Sequence, residues 1–306
     1  MEIALREGSA ITLGGARGEV VLRQWARESW ATAAGRDRYG LWAEFKVKGV
    51  AYRMRWIPAG TFTRGAPERE VGQWRSETPH EVALTRGYWL VETPVTQGLW
   101  EAVMGKNPSG FEGDDRPVES VSWEDCREFC ARLNEQVPGL EVALPTEAQW
   151  ERACRAGTTT ATWLGDLSDE IRAPELEPIA WYRANSGNET HAVRGKAANP
   201  YGLYDVLGNV WEWCSDWYGE YSSAPAIDPI GAGTGAERVV RGGSFFNVAR
   251  LVRAAIRLAD APGNRDGNLG LRLCRGQESA LRSTQAGAGE RRGAAGGRGA
   301  GRDTHR

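Results

Sequence analysis

Fourteen tryptophans set the first limit on what this chain can fold into, and all of them fall between Trp25 and Trp217. An indole buries a large flat surface, yet its N–H still needs an acceptor. That density suits a fold with little regular structure, held together by aromatic packing; stacking on carbohydrate is the alternative use. At 306 residues the chain is long enough for one large domain or two ordinary ones. A net charge of -2 and a pI near 6.1 give no electrostatic reason to expect nucleic acid or an anionic membrane as partner. The stretch MEIALREGSAITLGG lacks a basic segment followed by an apolar one, so no signal peptide is read there. No run approaches the ~18 apolar residues of a membrane-spanning helix. The expectation is a soluble, cytoplasmic protein.

Residues 1–39 read as an N-terminal extension, with GEVVLRQWARESWATAAG as a possible helix. From Tyr39 to Gly65 apolar and polar residues alternate, punctuated by Pro58 and Gly60, which predicts strands. Three helices follow. Thr96 is placed to cap the first, with Gly105 as its stop. Ser122 and Asp125 have capping-box spacing for the second, whose apolar face would be Cys126, Phe129, Cys130 and Leu133. Thr146 and Gln149 repeat the box for the third, with Gly157 as its stop. Long ordered loops and short strands are expected beyond it. Residues 276–306, rich in Gly, Ala and Arg, cannot bury enough surface to fold and read as a solvated, disordered tail. The five cysteines form no CxxC pair, and with three histidines far apart in sequence they read as buried thiols rather than a metal site.

Several long strings together resemble one family: WIPAGTFTRG, VETPVTQGLWEAVMGKNPS, VESVSWEDCREFCARLN, LPTEAQWERACRAG, GLYDVLGNVWEW and RVVRGGS with NLGLRLCR. They are similar, in order, to the formylglycine-generating-enzyme (sulfatase-modifying factor) family. The resemblance implies an α+β, C-type-lectin-like fold low in regular secondary structure, here over residues 40–275. Oxidases of that family hold copper with two cysteines just after Gly-Gly-Ser. Counting forward from Ser244, those places are Asn247 and Val252; counting back from Gly270, they fall near Ser244 and Ala249. A Cu(I) site needs thiolate or thioether ligands, and no cysteine lies between residues 215 and 273. The family's iron-dependent sulfoxide synthases draw histidines from an additional helical domain, and this chain has three histidines in all. Neither copper nor iron is therefore expected. A structural Ca²⁺ is implied at Asp205, Gly208, Val210 and Glu212, carboxylates and carbonyls being suitable oxygens. The alternative is that Asp205 and Glu212 cap turns or pair with arginines.

Within 241–275 the framework residues match the family, and the departures cluster between them. They define the expected binding face, about 245–268: Phe245, Phe246, Val248, Leu251, Ile256, Leu258, Asp260 and Asp266, with the two phenylalanines as anchors. The alternative sends Val252, Ala254 and Ile256 into the core. Variable proteins of diversity-generating retroelements share this fold and carry their randomised segment here. Their mutated asparagine codons cannot become Lys, Glu, Gln, Met or Trp, and residues 245–275 contain none of these. An ordinary apolar pocket is the competing explanation. The function expected is thus non-catalytic binding of a protein or small-molecule ligand. A metal- or oxygen-dependent modifying enzyme, or a regulatory or scaffolding module, stands as the alternative.

Overall fold

A computed structural model describes residues 29–276 in full, together with the backbone of Ile11–Leu13 and Val20–Leu22. Those two short strands, β1 (Ile11–Leu13) and β2 (Val20–Leu22), pair antiparallel. Strands β3 (Ala33–Asp37), β4 (Gly40–Val47) and β5 (Val50–Ile57) form an antiparallel meander. β6 (Gly60–Arg64), β7 (His80–Leu84) and β8 (Tyr88–Val91) follow, then the helices α1 (Gln97–Met104), α2 (Trp123–Gln136) and α3 (Glu147–Arg155). The rest is β: β9 (Trp211–Trp217), β10 (Ala226–Ile227), β11 (Arg238–Arg241), β12 (Arg257–Asp260), β13 (Leu269–Leu271) and β14 (Cys274–Arg275). They assemble as sheets in the orders β14-β8-β5-β4-β3, β12-β11-β9-β13 and β10-β7-β6. β14 returns to pair with β8, so the end of the described chain closes on its early strands.

The three helices form where their caps predict. Thr96 accepts from the Leu99 amide, and both capping boxes are complete, Ser122 with Asp125 and Thr146 with Gln149. The third helix stops at Ala156, itself left-handed at φ 47°, one residue before Gly157. The N-terminal expectation needs correction. Val20–Leu22 and Ala33–Asp37 are strands, not parts of a helix, and β3 is an integral strand of the five-stranded sheet. β3 forms the edge of that sheet, so residues ahead of 40 add a strand to it through β4. The Gly/Ala/Arg-rich tail from 277 onward lies outside the described residues.

Half of the tryptophans are core, and Trp74 is exposed. Trp30, Trp89, Trp100, Trp123, Trp150, Trp211 and Trp213 are buried. Three of these indoles find acceptors: Trp123 on the Cys214 carbonyl, Trp213 on the Val121 carbonyl and Trp150 on Glu212 Oε2. Beside this apolar core lies an ionic one. Glu147, the first residue of α3, receives Arg64, Arg241 and Arg257, while Glu151 one turn on receives Arg241 and Arg155. Arg253 is clamped between Glu70 and Glu77. Each of these arginines is at least 97% buried. Charges so far from water persist only when paired and hydrogen-bonded, so the network fixes how β6, β11, β12 and α3 meet.

Candidate functional site

The segment after β11 is built on a tight turn. Arg241 is drawn inward by Glu147, Glu151 and the Ala254 carbonyl, the last at 2.6 Å. The chain then reverses through Gly242 (φ 98°) and Gly243 (φ 74°). A Cβ on Gly243 would stand 2.3 Å from the Leu251 carbonyl oxygen, so only glycine allows the close approach. Ser244 is fully buried; its hydroxyl donates to Asn247 Oδ1 at 2.7 Å and accepts from Asn268 Nδ2 at 3.2 Å. That second bond joins the 244–251 stretch to the 260–268 loop. The Phe245 amide donates to the Asn209 carbonyl, and the Arg183 amide to the Asn247 carbonyl, both at 2.9 Å. Arg253 and Arg257 then tie the far side into the ionic core.

On this frame the eight expected contact residues separate by exposure. Phe246 is 56% exposed, with the Arg183 guanidinium 5.9 Å from its ring centroid. Asp266 is exposed, while Val248, Leu251, Leu258 and Asp260 are half-buried. Asn264 bridges the two acids, donating to Asp260 Oδ2 at 2.7 Å and Asp266 Oδ2 at 3.0 Å. Two residues are corrected. Ile256 is completely buried within the main apolar cluster, because Arg257 beside it is anchored on Glu147 and holds the chain against the core. Val252 and Ala254 are buried with it. Phe245 is only 5% exposed: its ring lies edge-on to Phe111 at 5.3 Å and to Phe246 at 6.4 Å. It supports Phe246 from beneath rather than offering a surface.

Several residues of this face escape a sequence reading. Phe111 sits in the loop GKNPSGFEGDDRP, and its amide donates to Glu119 Oε1 at 2.9 Å. The Ser120 amide beside it donates to the Asp266 carbonyl. A lone aromatic among Gly, Pro and Asp was the signal available. Ile171 is 57% exposed and accepts the Ala249 amide on its carbonyl, which adds a second apolar side chain near Phe246's segment. Nothing in its local sequence marks it.

At the places of the family oxidases' cysteines, Asn247 is hydrogen-bonded to Ser244, and Val252 is fully buried. Counting back instead gives Ser244 and Ala249, which are fully buried too. The five cysteines lie on α2, α3, β9 and β14, all buried. Burial pushes the Cys126 and Cys214 thiols well above the usual range and that of Cys154 up to about 12. These three are not ready thiolates.

The four residues expected around calcium do not fit it as a set. Glu212 has no oxygen to spare: Oε1 accepts from Arg272 Nη2 at 2.7 Å and Nε at 3.0 Å, and Oε2 from Arg272 Nε at 2.9 Å and Trp150 Nε1 at 2.6 Å. Asp205 accepts the Arg194 amide at 2.8 Å and Asn209 Nδ2 at 3.2 Å, as a turn cap does. Gly208 and Val210 then offer backbone carbonyls alone, too few oxygens for a cation that takes six to eight. Pairing with arginine and capping a turn account for both acids. Adding Ca²⁺ or EDTA is accordingly expected to move the melting temperature by less than about 1 °C. A rise of several degrees with Ca²⁺ would restore the site.

Residues 41–277 match the sulfatase-modifying factor enzyme 1-like domain. The chain belongs to this family. Among its relatives, the formylglycine-generating enzyme of Streptomyces coelicolor is 34% identical over 201 residues, covering 56% of this chain and 59% of the enzyme. The chain thus spans about three-fifths of that relative's length. Among solved structures, Treponema denticola variable protein 1 is 33% identical with a TM-score of 0.68, covering 76% of this chain and 98% of that protein. PvdO from Pseudomonas aeruginosa is 25% identical with a TM-score of 0.67, covering 76% and 97%. The fold is the family's α+β, lectin-like one, in which short strands and long bonded loops outweigh helix.

Proposed function

We infer that this family member is a non-catalytic ligand-binding protein. It presents Phe246, with Val248, Leu251, Leu258, Asp260 and Asp266 around it, to a protein or small-molecule ligand. One observation carries the reading: Gly242 and Gly243 form a tight turn with no cysteine between residues 215 and 273 to serve as a sulfur ligand, and Phe246 stands exposed above it. An exposed aromatic with an arginine beside it, on a hydrogen-bonded frame, is the residue pairing that dominates interface energies. The likeness to a protein called variable protein 1 supports a display role for this segment, and its diversification in this chain is part of the proposal.

The identity with formylglycine-generating enzymes favours a second reading, a metal- or oxygen-dependent modifying enzyme. Oxygen uptake separates the two. Supplied with copper and a cysteine-containing peptide, the full chain is expected to consume oxygen at the rate of copper and peptide alone. Protein-dependent uptake that survives conversion of all five cysteines to serine would establish the enzymatic reading on other ligands.

A further inference from the structure

A pocket of about 280 Å³ opens where β6, β7, α3 and β12 meet the loop that follows β9. None of the binding-face residues lines it. Its charged lining is Arg64, Arg257 and Glu147, with Glu220 beside them. Arg64 is 3% and Arg257 1% exposed, and their guanidinia lie 4.2 and 3.8 Å from the centroid of the Tyr221 ring. The His80 ring packs edge-on to that tyrosine at 4.9 Å. We propose that this pocket binds a small organic carboxylate, whose anionic head sits on Arg64 and Arg257.

Charge and hydrogen bonding both point to an anion. The buried network holds Arg64, Arg155, Arg241 and Arg257 around only two glutamates, Glu147 and Glu151. Asp216, the next acid, is in ion-pair contact with none of them, and burial first, then the Glu147 charge, raises its carboxyl to about 6. Glu147 therefore serves both guanidinia of the pocket, Arg64 and Arg257, while sharing Arg241 with Glu151. Arg64 is the one least satisfied. Its Nη2 approaches Glu147 Oε2 at 2.5 Å, yet neither Nη2 nor Nε has an aligned hydrogen-bond acceptor. A buried guanidinium with one nitrogen unpartnered and another meeting its carboxylate out of line is unusual in a folded protein, and guanidinium is a standard receiver of carboxylate.

The remaining walls set the rest of the ligand. Ala224, Ala226, Pro229 and Ala232 are small and apolar, and Trp217 closes one side. At about 30 Å³ for each liquid water, the cavity matches about nine waters, room for a benzoate-sized molecule with several waters beside it. Glu147 on the floor disfavours a dianion such as phosphate.

The test titrates the full chain with benzoate, benzamide and inorganic phosphate by calorimetry. Benzoate is expected to saturate one site, with benzamide weaker by about tenfold or more. Arg64→Met removes that guanidinium while Arg241 and Arg257 still pair Glu147, and benzoate binding is expected to be lost. Ala232→Leu fills the cavity without touching a charge and is expected to abolish binding too. It decides the matter if Arg64→Met fails to fold. The proposal is overturned if benzoate shows no saturable binding up to about 10 mM, if benzamide or phosphate binds as well, or if Ala232→Leu binds benzoate normally.

Discussion

Replacing Glu147 by glutamine is expected to leave the domain largely unfolded. Its carboxylate, 1% exposed, accepts Arg241 Nη1 at 2.7 Å, Arg257 Nε at 2.7 Å and Nη2 at 2.9 Å, and the Tyr221 hydroxyl at 2.8 Å, with Arg64 in ionic contact. Breaking one buried pair by removing a partner costs about 3–5 kcal/mol, and here Arg64 and Arg257 both lose their carboxylate while Arg241 keeps Glu151. Against the ~5–15 kcal/mol that holds a typical domain folded, little remains. Urea unfolding of the variant measures it, and a loss under about 1 kcal/mol would show that the network is not structural.

The same network gives stability a definite pH dependence. Burial alone would raise the Glu151 carboxyl, but the Arg155 and Arg241 guanidinia outweigh it and hold it down from 4.5 to about 2. Glu147 is held lower still against the same opposition, by Arg64, Arg257 and Arg241. Their folded values lie below the unfolded ones, so this stabilisation is complete above 4.5 and drains away as pH falls through about 2. Asp216 acts with the opposite sign. Its carboxyl is raised from 3.8 to about 6, so its contribution is full below 3.8 and lost as pH rises through 6. A stability maximum on the acid side of neutrality follows, and Asp216→Asn should flatten its alkaline flank.

Gly243→Ala is expected to disrupt the binding face as severely as any single change within it. The residue sits at φ 74°, and a methyl group there would meet the Leu251 carbonyl oxygen at 2.3 Å and Val252 Cγ2 at 2.9 Å. The left-handed conformation alone costs a non-glycine residue about 1–3 kcal/mol, and the clash with backbone adds to it. Relief requires the 249–251 turn to move, which would break the Val252 amide bond to the Ala249 carbonyl and shift Phe246. Thermal melting reads the loss, and a variant as stable as the parent would mean the turn can open without strain.

Local signals were legible in the sequence, and long-range ones were not. Thr96, Ser122 and Thr146 announced their helices because a cap is satisfied within three residues of itself. The alternation from Tyr39 to Gly65 announced strand for the same reason, and the structure divides it into β4, β5 and β6. The ionic core joins Glu147 to Arg241 and Arg257 across 94 and 110 residues, and no spacing rule connects them. Nothing local in the sequence therefore pairs the arginines of 241–272 with their acids, although they belong to the framework that matches the family. The candidate face was legible as a segment but not side chain by side chain. Phe246 and Asp266 point outward, whereas Ile256 follows Arg257 into the core and Phe245 rests on Phe111, a partner from a loop 134 residues away.

The central claim is that a preserved frame carries a changeable binding face, and sequencing the locus across isolates tests it most directly. The account predicts that substitutions gather at Phe246, Val248, Leu251, Leu258, Asp260 and Asp266, beside a near-copy of the segment in the genome. They should spare Gly243, Ser244, Arg253, Ile256 and Arg257, whose side chains or turn the core requires. Substitutions spread evenly along the chain, with no such copy, would contradict it.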